Sequence, residues 1–392
     1  MCPSGSNRAG APRFRVPCRV FSPDLNAIKY LANHDSAVLG FAGSDARRLS
    51  PPFPTLGLVV TDLISILENA VAHLSKYAQG RHRFRFVSSA QVVPYTVALA
   101  QWAKNGRQGP QPPTTIAEMR AAIYAQAKPA SDLKAFSKVA SVAGVELAGA
   151  ALAGLKAGQV VVTYTALRGF IERTAHATAT AAALRNIKTA PIDGPLTPVL
   201  ELSEVIYKAL YATQREWTKL VKADFRKASV KEMKYVKKEN IANMLSDNIL
   251  NSIDKLDKKI PGTRLAYEIL CEYLHPNVGD LLGTTLEGEL FVDRYGTRHV
   301  FRTIGLGQKT FKGLPDMQIL NTKLFDICGD IIPQMPLAIE EIDSISQVAT
   351  RLTRRFAHGV VKKHYRKQFS DSDLCPCLSG LTVTACAGLR SR

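Results

Sequence analysis

Apolar residues recur every three or four positions over much of this chain, which is the spacing of one face of an α-helix. The first such run begins near Thr61 or Asp62, either of which can cap a helix, and ends near Gly80. A last run covers about residues 338–368 and is acidic at its start and basic at its end, which suits the helix macrodipole. The pattern predicts a long helix at each of these places.

Between the two runs, residues 116–271 form an alanine-rich stretch that predicts closely packed helices, because alanine has high helix propensity and little bulk. Proline or glycine predicts interruptions of this array at residues 128–130, 156–159 and 191–198. Further helices are expected over residues 199–224 and 230–258. The array would form most of the core.

A different pattern occurs near residues 289–303, where the strand-like segments 289–293 and 298–303 flank Tyr295-Gly296. This arrangement predicts a β-hairpin. The fold class is therefore predicted to be mainly α, a multi-helix domain with a small β-hairpin insertion and a short C-terminal tail like a zinc knuckle. The expected order is a flexible arm (1–54), an α/β segment (55–104), a linker (105–115), a helical domain (116–370) and the tail (371–392).

The net charge of +18 and the isoelectric point near 9.6 predict attraction to polyanions, either nucleic acid or another anionic partner. The seven cysteines are an odd number without a disulfide framework, which favours a reducing, cytoplasmic location. The most apolar window, residues 139–155, is too short for a membrane span and contains Glu146. No membrane span is expected.

Residues 351–367 are the part of the chain best suited to nucleic acid, because basic side chains alternate there with Phe356 and Tyr365. The basic residues can contact phosphates and the aromatic residues can stack on bases. The alternative is a solvated helix face that only aids solubility. The predicted nucleic-acid-binding residues are Arg351, Arg354, Arg355, Lys362, Lys363, Arg366 and Lys367.

Cysteines concentrate at the C-terminus, where Cys375 and Cys377 flank a proline and Cys386 follows nine residues later. One tight turn can present two thiolates while a returning segment supplies a third, and borderline-soft zinc prefers such ligands. The predicted metal ligands are these three cysteines and the predicted cofactor is zinc. Water, Asp373 or a histidine from the preceding helix, such as His364, would complete the fourth position. Such a knuckle is expected to share little core with the helical domain.

The segment Cys-Pro-Cys-Leu-Ser-Gly at 375–380, followed by Cys386, resembles the SEC-C motif, a metal-binding tail of the preprotein translocase ATPase and of many bacterial proteins. Its pattern is C-P-C-G-S-G followed by C-C or C-H. Leu378 replaces a glycine of that pattern, and Ala387 replaces the fourth ligand. The resemblance implies a metal-binding module and names no activity.

A second group of polar residues lies on the predicted helices. Glu172 and His176 are four residues apart, and Glu272 and His275 are three apart, so each pair shares a helix face. If the two helices touch, the four side chains form a catalytic site with two carboxylates and two imidazoles. The alternative is that these residues make hydrogen bonds and ion pairs that fix the packing of the helices.

The central region is similar to all-helical bacterial families without a settled activity. Arg351 and His358 also fit the loosest form of the arginine–histidine pair with which HEPN-type proteins cleave RNA. Three functions follow as hypotheses. The first is a bacterial accessory protein that binds nucleic acid or another anionic partner and has a metal-binding tail. The second is a metal-dependent or acid–base hydrolase, a ribonuclease for example. The third is a structural module that binds a protein partner.

Overall fold

A computed structural model describes residues 56–81, 116–186, 248–275, 285–304, 315–360, 369–375 and 381–386, with a few further positions between 202 and 231. The predicted arm (1–54) and linker (105–115) lie outside these residues, as does about half of the predicted segment 55–104. The described part is mostly helical, which confirms the prediction of a mainly α protein.

Seven helices and two strands are described. The helices are α1 (Leu56–Ala78), α2 (Ile116–Ala157), α3 (Val160–Asn186), α4 (Ile249–Asp257), α5 (Thr263–Leu274), α6 (Pro315–Ile331) and α7 (Gln334–Val360). Strands β1 (Thr285–Val292) and β2 (Arg298–Ile304) pair antiparallel, with Leu290 opposite Val300. The core lies where α1, α2, α3 and α7 pack together, and α5 and α6 add to it.

Helix α1 follows the predicted apolar spacing, and its buried residues are Val59, Leu63, Leu67, Ala70 and Leu74. The helix begins at Leu56, earlier than the predicted caps, because Val59 extends the same apolar face by one turn. The Thr61 hydroxyl donates a hydrogen bond to the Gly57 carbonyl within the helix at 2.9 Å and does not cap it.

Helix α2 continues through Pro129, so the predicted interruption at residues 128–130 is wrong. A proline inside a helix costs about 3 kcal/mol because it removes a backbone hydrogen bond. Tertiary contacts offset this cost: Pro129 and Ala130 are buried, and the Ser346 hydroxyl of α7 donates to the Ala130 carbonyl at 3.2 Å. The predicted break at residues 156–159 is confirmed, since Gly158 adopts a φ of 68° between α2 and α3.

Gly154 allows the start of α3 to approach the end of α2. A Cβ atom at this position would lie 2.5 Å from Thr163 Oγ1 and 3.0 Å from the Thr163 backbone nitrogen. Gly149, one turn earlier, has nothing within 4 Å of its would-be Cβ. Replacing each of the two glycines with alanine therefore separates the steric effect of the added methyl group from its effect on helix propensity.

We expect Gly154→Ala to lower the free energy of unfolding by at least about 1 kcal/mol, because the added methyl group meets backbone. Gly149→Ala should raise it by about 0.5–1 kcal/mol, because alanine has the higher helix propensity. Urea denaturation of the two variants measures both changes. Equal stability of the two variants would contradict the close approach of α2 and α3.

Two helical stretches are long and apolar enough to cross a membrane by length and composition, α1 and the Lys128–Ala157 part of α2. These two helices pack against each other, and Lys156 Nζ of α2 lies 2.7 Å from Glu68 Oε1 of α1. Core helices of soluble proteins have similar length and apolar content. The expectation of no membrane span stays a prediction.

Candidate metal centre

The C-terminal tail folds back on itself and brings two cysteines together. The Cys375 backbone N–H donates to the Leu381 carbonyl at 2.8 Å, and the Val383 N–H donates to the Asp373 carbonyl at 2.8 Å. The Cys386 N–H then donates to the Thr382 carbonyl at 3.0 Å, closing a turn. These bonds place Cys375 and Cys386, both buried, on the same side of the tail.

His358, near the end of α7, faces the two thiols. Its Nε2 atom lies 3.2 Å from Cys386 Sγ and 3.8 Å from Cys375 Sγ. The three ligand atoms all lie within 4.8 Å of one another. In the described part of the chain, this is the one group of three histidine, cysteine or acidic side chains close enough to hold a metal ion.

The spacing of the three atoms suits a tetrahedral metal. With zinc–sulfur bonds of about 2.3 Å and zinc–nitrogen bonds of about 2.0 Å, the ligand atoms of a tetrahedral site lie roughly 3.5–3.8 Å apart. The two nitrogen–sulfur distances, 3.2 and 3.8 Å, lie within a few tenths of an ångström of the separation of about 3.5 Å that such bonds give. The group could therefore hold a metal ion.

Two of the three predicted ligands, Cys375 and Cys386, belong to this group. Cys377 lies outside the described residues, as does His364. The Asp373 carboxylate accepts a hydrogen bond from the Ser370 N–H at 3.0 Å and is not part of the group. The third member of the group is His358, a histidine of the preceding helix, which agrees with one of the alternatives for the fourth ligand.

His358 was not named as a candidate ligand, although a histidine of its helix was one of the alternatives, because it precedes Cys375 by seventeen residues and lies in a different element. The sequence offered one signal, two histidines, His358 and His364, in the basic stretch before the cysteine tail. Since His358 belongs to α7, a bound metal would join the tail to the helical domain. The expectation that the tail shares little core with that domain stays a prediction.

The predicted nucleic-acid-binding residues lie on or beyond the same helix. Arg351 is exposed on α7, and the backbone of Arg354 and Arg355 lies in α7 two turns or less before its end. The remaining predicted residues, Lys362, Lys363, Arg366 and Lys367, lie outside the described residues. His358, the partner of Arg351 in the suggested ribonuclease pair, faces the two thiols.

The first half of the predicted catalytic set makes packing contacts. Glu172 Oε1 accepts a hydrogen bond from the Tyr267 hydroxyl at 2.8 Å and lies 3.5 Å from the Arg168 guanidinium. That hydrogen bond joins α3 to α5. The His176 Nε2 atom lies 3.0 Å from the Ala209 carbonyl oxygen. These contacts are those expected of residues that fix helix packing.

The second half of that set, Glu272 and His275, is exposed at the end of α5. No three of the four residues Glu172, His176, Glu272 and His275 form a group that could hold a metal ion, among the residues that the structure describes. Tyr267 has a raised pKa, mainly because of its burial, and it stays protonated and donates to Glu172. The hydrolase hypothesis therefore rests on sequence alone.

Comparison of the chain with protein-family models, with curated proteins and with solved structures finds no match in any of the three.

Proposed function

We propose that His358, Cys375 and Cys386 hold a structural zinc ion that fastens the C-terminal tail to α7. The observation that carries this proposal is the approach of all three ligand atoms within 4.8 Å. Thiolate and imidazole are ligands of zinc in structural sites, which are tetrahedral and have four protein ligands. Zinc would supply no catalytic chemistry here; it would replace the hydrophobic core that so short a tail lacks.

Cys377 is the proposed fourth ligand. It follows Cys375 by two residues, and a short turn of this kind can direct two sulfurs to one ion. The resulting Cys₃His set would retain the three cysteines shared with the SEC-C motif. His358 from the preceding helix would replace the ligand that the motif places at Ala387.

The proposed function of the whole chain is that of a bacterial, cytoplasmic accessory protein that binds nucleic acid. Its net charge of +18 supports a polyanionic partner. His358 lies in sequence among the predicted basic residues, of which Arg351 is exposed. A metal bound to His358 would therefore hold the end of the basic helix in place. Metal binding and nucleic-acid binding would then involve the same helix.

Fluorescence anisotropy with labelled RNA and DNA oligonucleotides tests this function. We expect binding at low salt and a loss of about 10³-fold or more in affinity between 50 and 200 mM salt, because each phosphate contact releases counterions. A nucleic-acid-binding protein must bind most tightly when screening is least. Absence of binding to either oligonucleotide at low salt would contradict the proposed function, whatever the metal content.

A further inference from the structure

A cleft of about 500 Å³ opens between the end of α1, the middle of α2 and the outer face of α7. Its volume lies within the range of about 300–1,000 Å³ that is typical of ligand sites. Five basic residues and one acidic residue, Asp343, line this opening. We call it the basic cleft, and its basic residues are Lys76, Arg81, Lys134, Lys138 and Arg351.

One of the five cations has an evident structural partner. Lys138 Nζ donates to the backbone carbonyls of Tyr77, at 3.2 Å, and Gln79, and so stabilises the C-terminal end of α1. Among the described residues, no ion pair or hydrogen bond partners the side chains of the other four basic residues. Lys76, Lys134 and Arg351 are exposed, as is Arg81. Like charges gathered without counterions favour an anionic ligand.

The acidic group of the cleft does little to balance this charge. Asp343 Oδ2 accepts a hydrogen bond from Gln347 Nε2 at 2.8 Å along α7. The nearby Glu340 lies 3.8 Å from His73 Nε2. The cations therefore remain in excess by several charges on one concave surface. A single carboxylate ligand would leave most of that excess, whereas successive phosphates of one strand would match it.

An aromatic ring lies in the same opening. Tyr77 lines the cleft and stacks on His73, with ring centroids 5.9 Å apart and planes inclined by 16°. Nucleobases stack on aromatic side chains of this kind, and clefts that combine cations with aromatic rings are typical of single-strand binding. A recessed opening between three helices also suits one flexible strand better than a wide, rigid duplex.

We infer that the basic cleft binds the sugar-phosphate backbone of single-stranded nucleic acid, with Lys76, Lys134 and Arg351 on phosphates and Tyr77 beneath a base. This inference rests on the proposed nucleic-acid function and gives it a location. The cleft shares Arg351 with the predicted basic helix. Lys76, Arg81 and Lys134 come from sequence positions far from that helix, and the fold places them around the same opening.

The test uses the full-length, metal-loaded protein and a labelled oligouridine. Each phosphate contact on a single strand contributes about 0.7 to the slope of log affinity against log salt, so Lys76→Gln with Lys134→Gln should reduce that slope by about 1.4. The matched control is Lys258→Gln with Lys323→Gln, which removes the same charge from exposed sites outside the cleft. The control should leave the slope unchanged.

The possible outcomes separate the cleft from the wider function. If binding depends on salt but the slope of log affinity against log salt is equal in the two double variants, the cleft is not the binding site. The proposed nucleic-acid function would then remain. No binding of oligouridine or duplex RNA by the unaltered protein at low salt would overturn both. Binding to phosphatidylserine vesicles without binding to oligouridine would also overturn the inference, because it would assign the charge to a membrane surface.

Replacement of Tyr77 provides a second measurement of a different kind. We expect Tyr77→Leu to weaken oligouridine binding about tenfold, near the lower end of what one stacked base contributes. The salt slope should not change, because stacking releases no counterions. A Tyr77→Phe variant should retain the affinity. Unchanged affinity in Tyr77→Leu would exclude base stacking in the cleft.

Discussion

His358→Ala is expected to reduce zinc affinity by more than about 100-fold, because even residues that only hydrogen-bond to metal ligands contribute 10–100-fold. The substitution removes the one proposed ligand from outside the tail. Without it, the cysteines retain a site open to water. Competition with a chromogenic zinc chelator measures the affinity. We expect Cys386→Ser to cause a loss of similar size.

Two variants control for unrelated effects. His299→Ala removes an exposed histidine that pairs with Asp293 at 3.2 Å, far along the chain from the tail. Cys271→Ser removes a thiol outside the metal-binding group. Both should bind zinc as tightly as the unaltered protein. Unchanged zinc affinity in His358→Ala and Cys386→Ser would show that the metal is bound elsewhere, and an equal fall in all four variants would show an effect that is not specific to the proposed ligands.

Loss of the metal should also change the tail itself. The tail buries only a few apolar side chains, among them Phe369 and Val383, so a metal bound at the proposed site would add to the few backbone hydrogen bonds that order it. In His358→Ala, we expect faster amide hydrogen exchange over residues 369–386 and little change in α1 or α3. Unchanged exchange in the tail would mean that metal does not fasten it.

Tyr164→Phe is expected to lower the free energy of unfolding by up to about 3 kcal/mol, because it leaves a buried acceptor without its donor. The Tyr164 hydroxyl donates to Asn321 Oδ1 at 2.6 Å, and both side chains are buried. This bond joins α3 to α6. Guanidinium denaturation measures the change.

Tyr273→Phe is the matched control from the same cluster. The Tyr164 and Tyr273 rings stack with centroids 4.5 Å apart, but the buried Tyr273 hydroxyl has no hydrogen-bond partner among the described residues. Burial raises the pKa of Tyr273 well above its ordinary value. Removal of an unsatisfied hydroxyl should leave stability unchanged or raise it. A loss as large as that of Tyr164→Phe would contradict the described hydrogen bonding.

The sequence predicted those helices whose apolar residues repeat without interruption. Helix α1 is the clearest example, since five buried residues lie on one face at helical spacing. Helix α6 was missed, because its buried face includes Asn321 and its sequence contains Gly329. A polar residue on a core face weakens the periodic signal, and only the fold supplies the Tyr164 hydroxyl that satisfies it.

Pro129 shows the opposite failure, a local signal that the fold overrides. The proline predicted a break, but buried neighbours and the contact from Ser346 keep α2 continuous. Sequence alone cannot weigh a local cost of this kind against contacts from residues more than two hundred positions away.

The candidate metal centre was predictable only in the part that depends on local spacing. Cys375 and Cys386 lie in one short segment, where spacing alone indicates that two thiols can meet. His358 joins them only because the tail folds back onto α7, and no spacing rule contains that information. The basic cleft could be predicted even less, since its cations come from three helices and from Arg81, just after α1.

The central claim is that one zinc ion is bound by both cysteine thiolates and the imidazole of His358. An X-ray absorption spectrum at the zinc edge of the protein purified with its metal tests this claim most directly. We expect one zinc per chain and a first shell with sulfur at about 2.3 Å and nitrogen at about 2.0 Å. Absence of zinc, or a first shell of oxygen and nitrogen without sulfur, would contradict the claim.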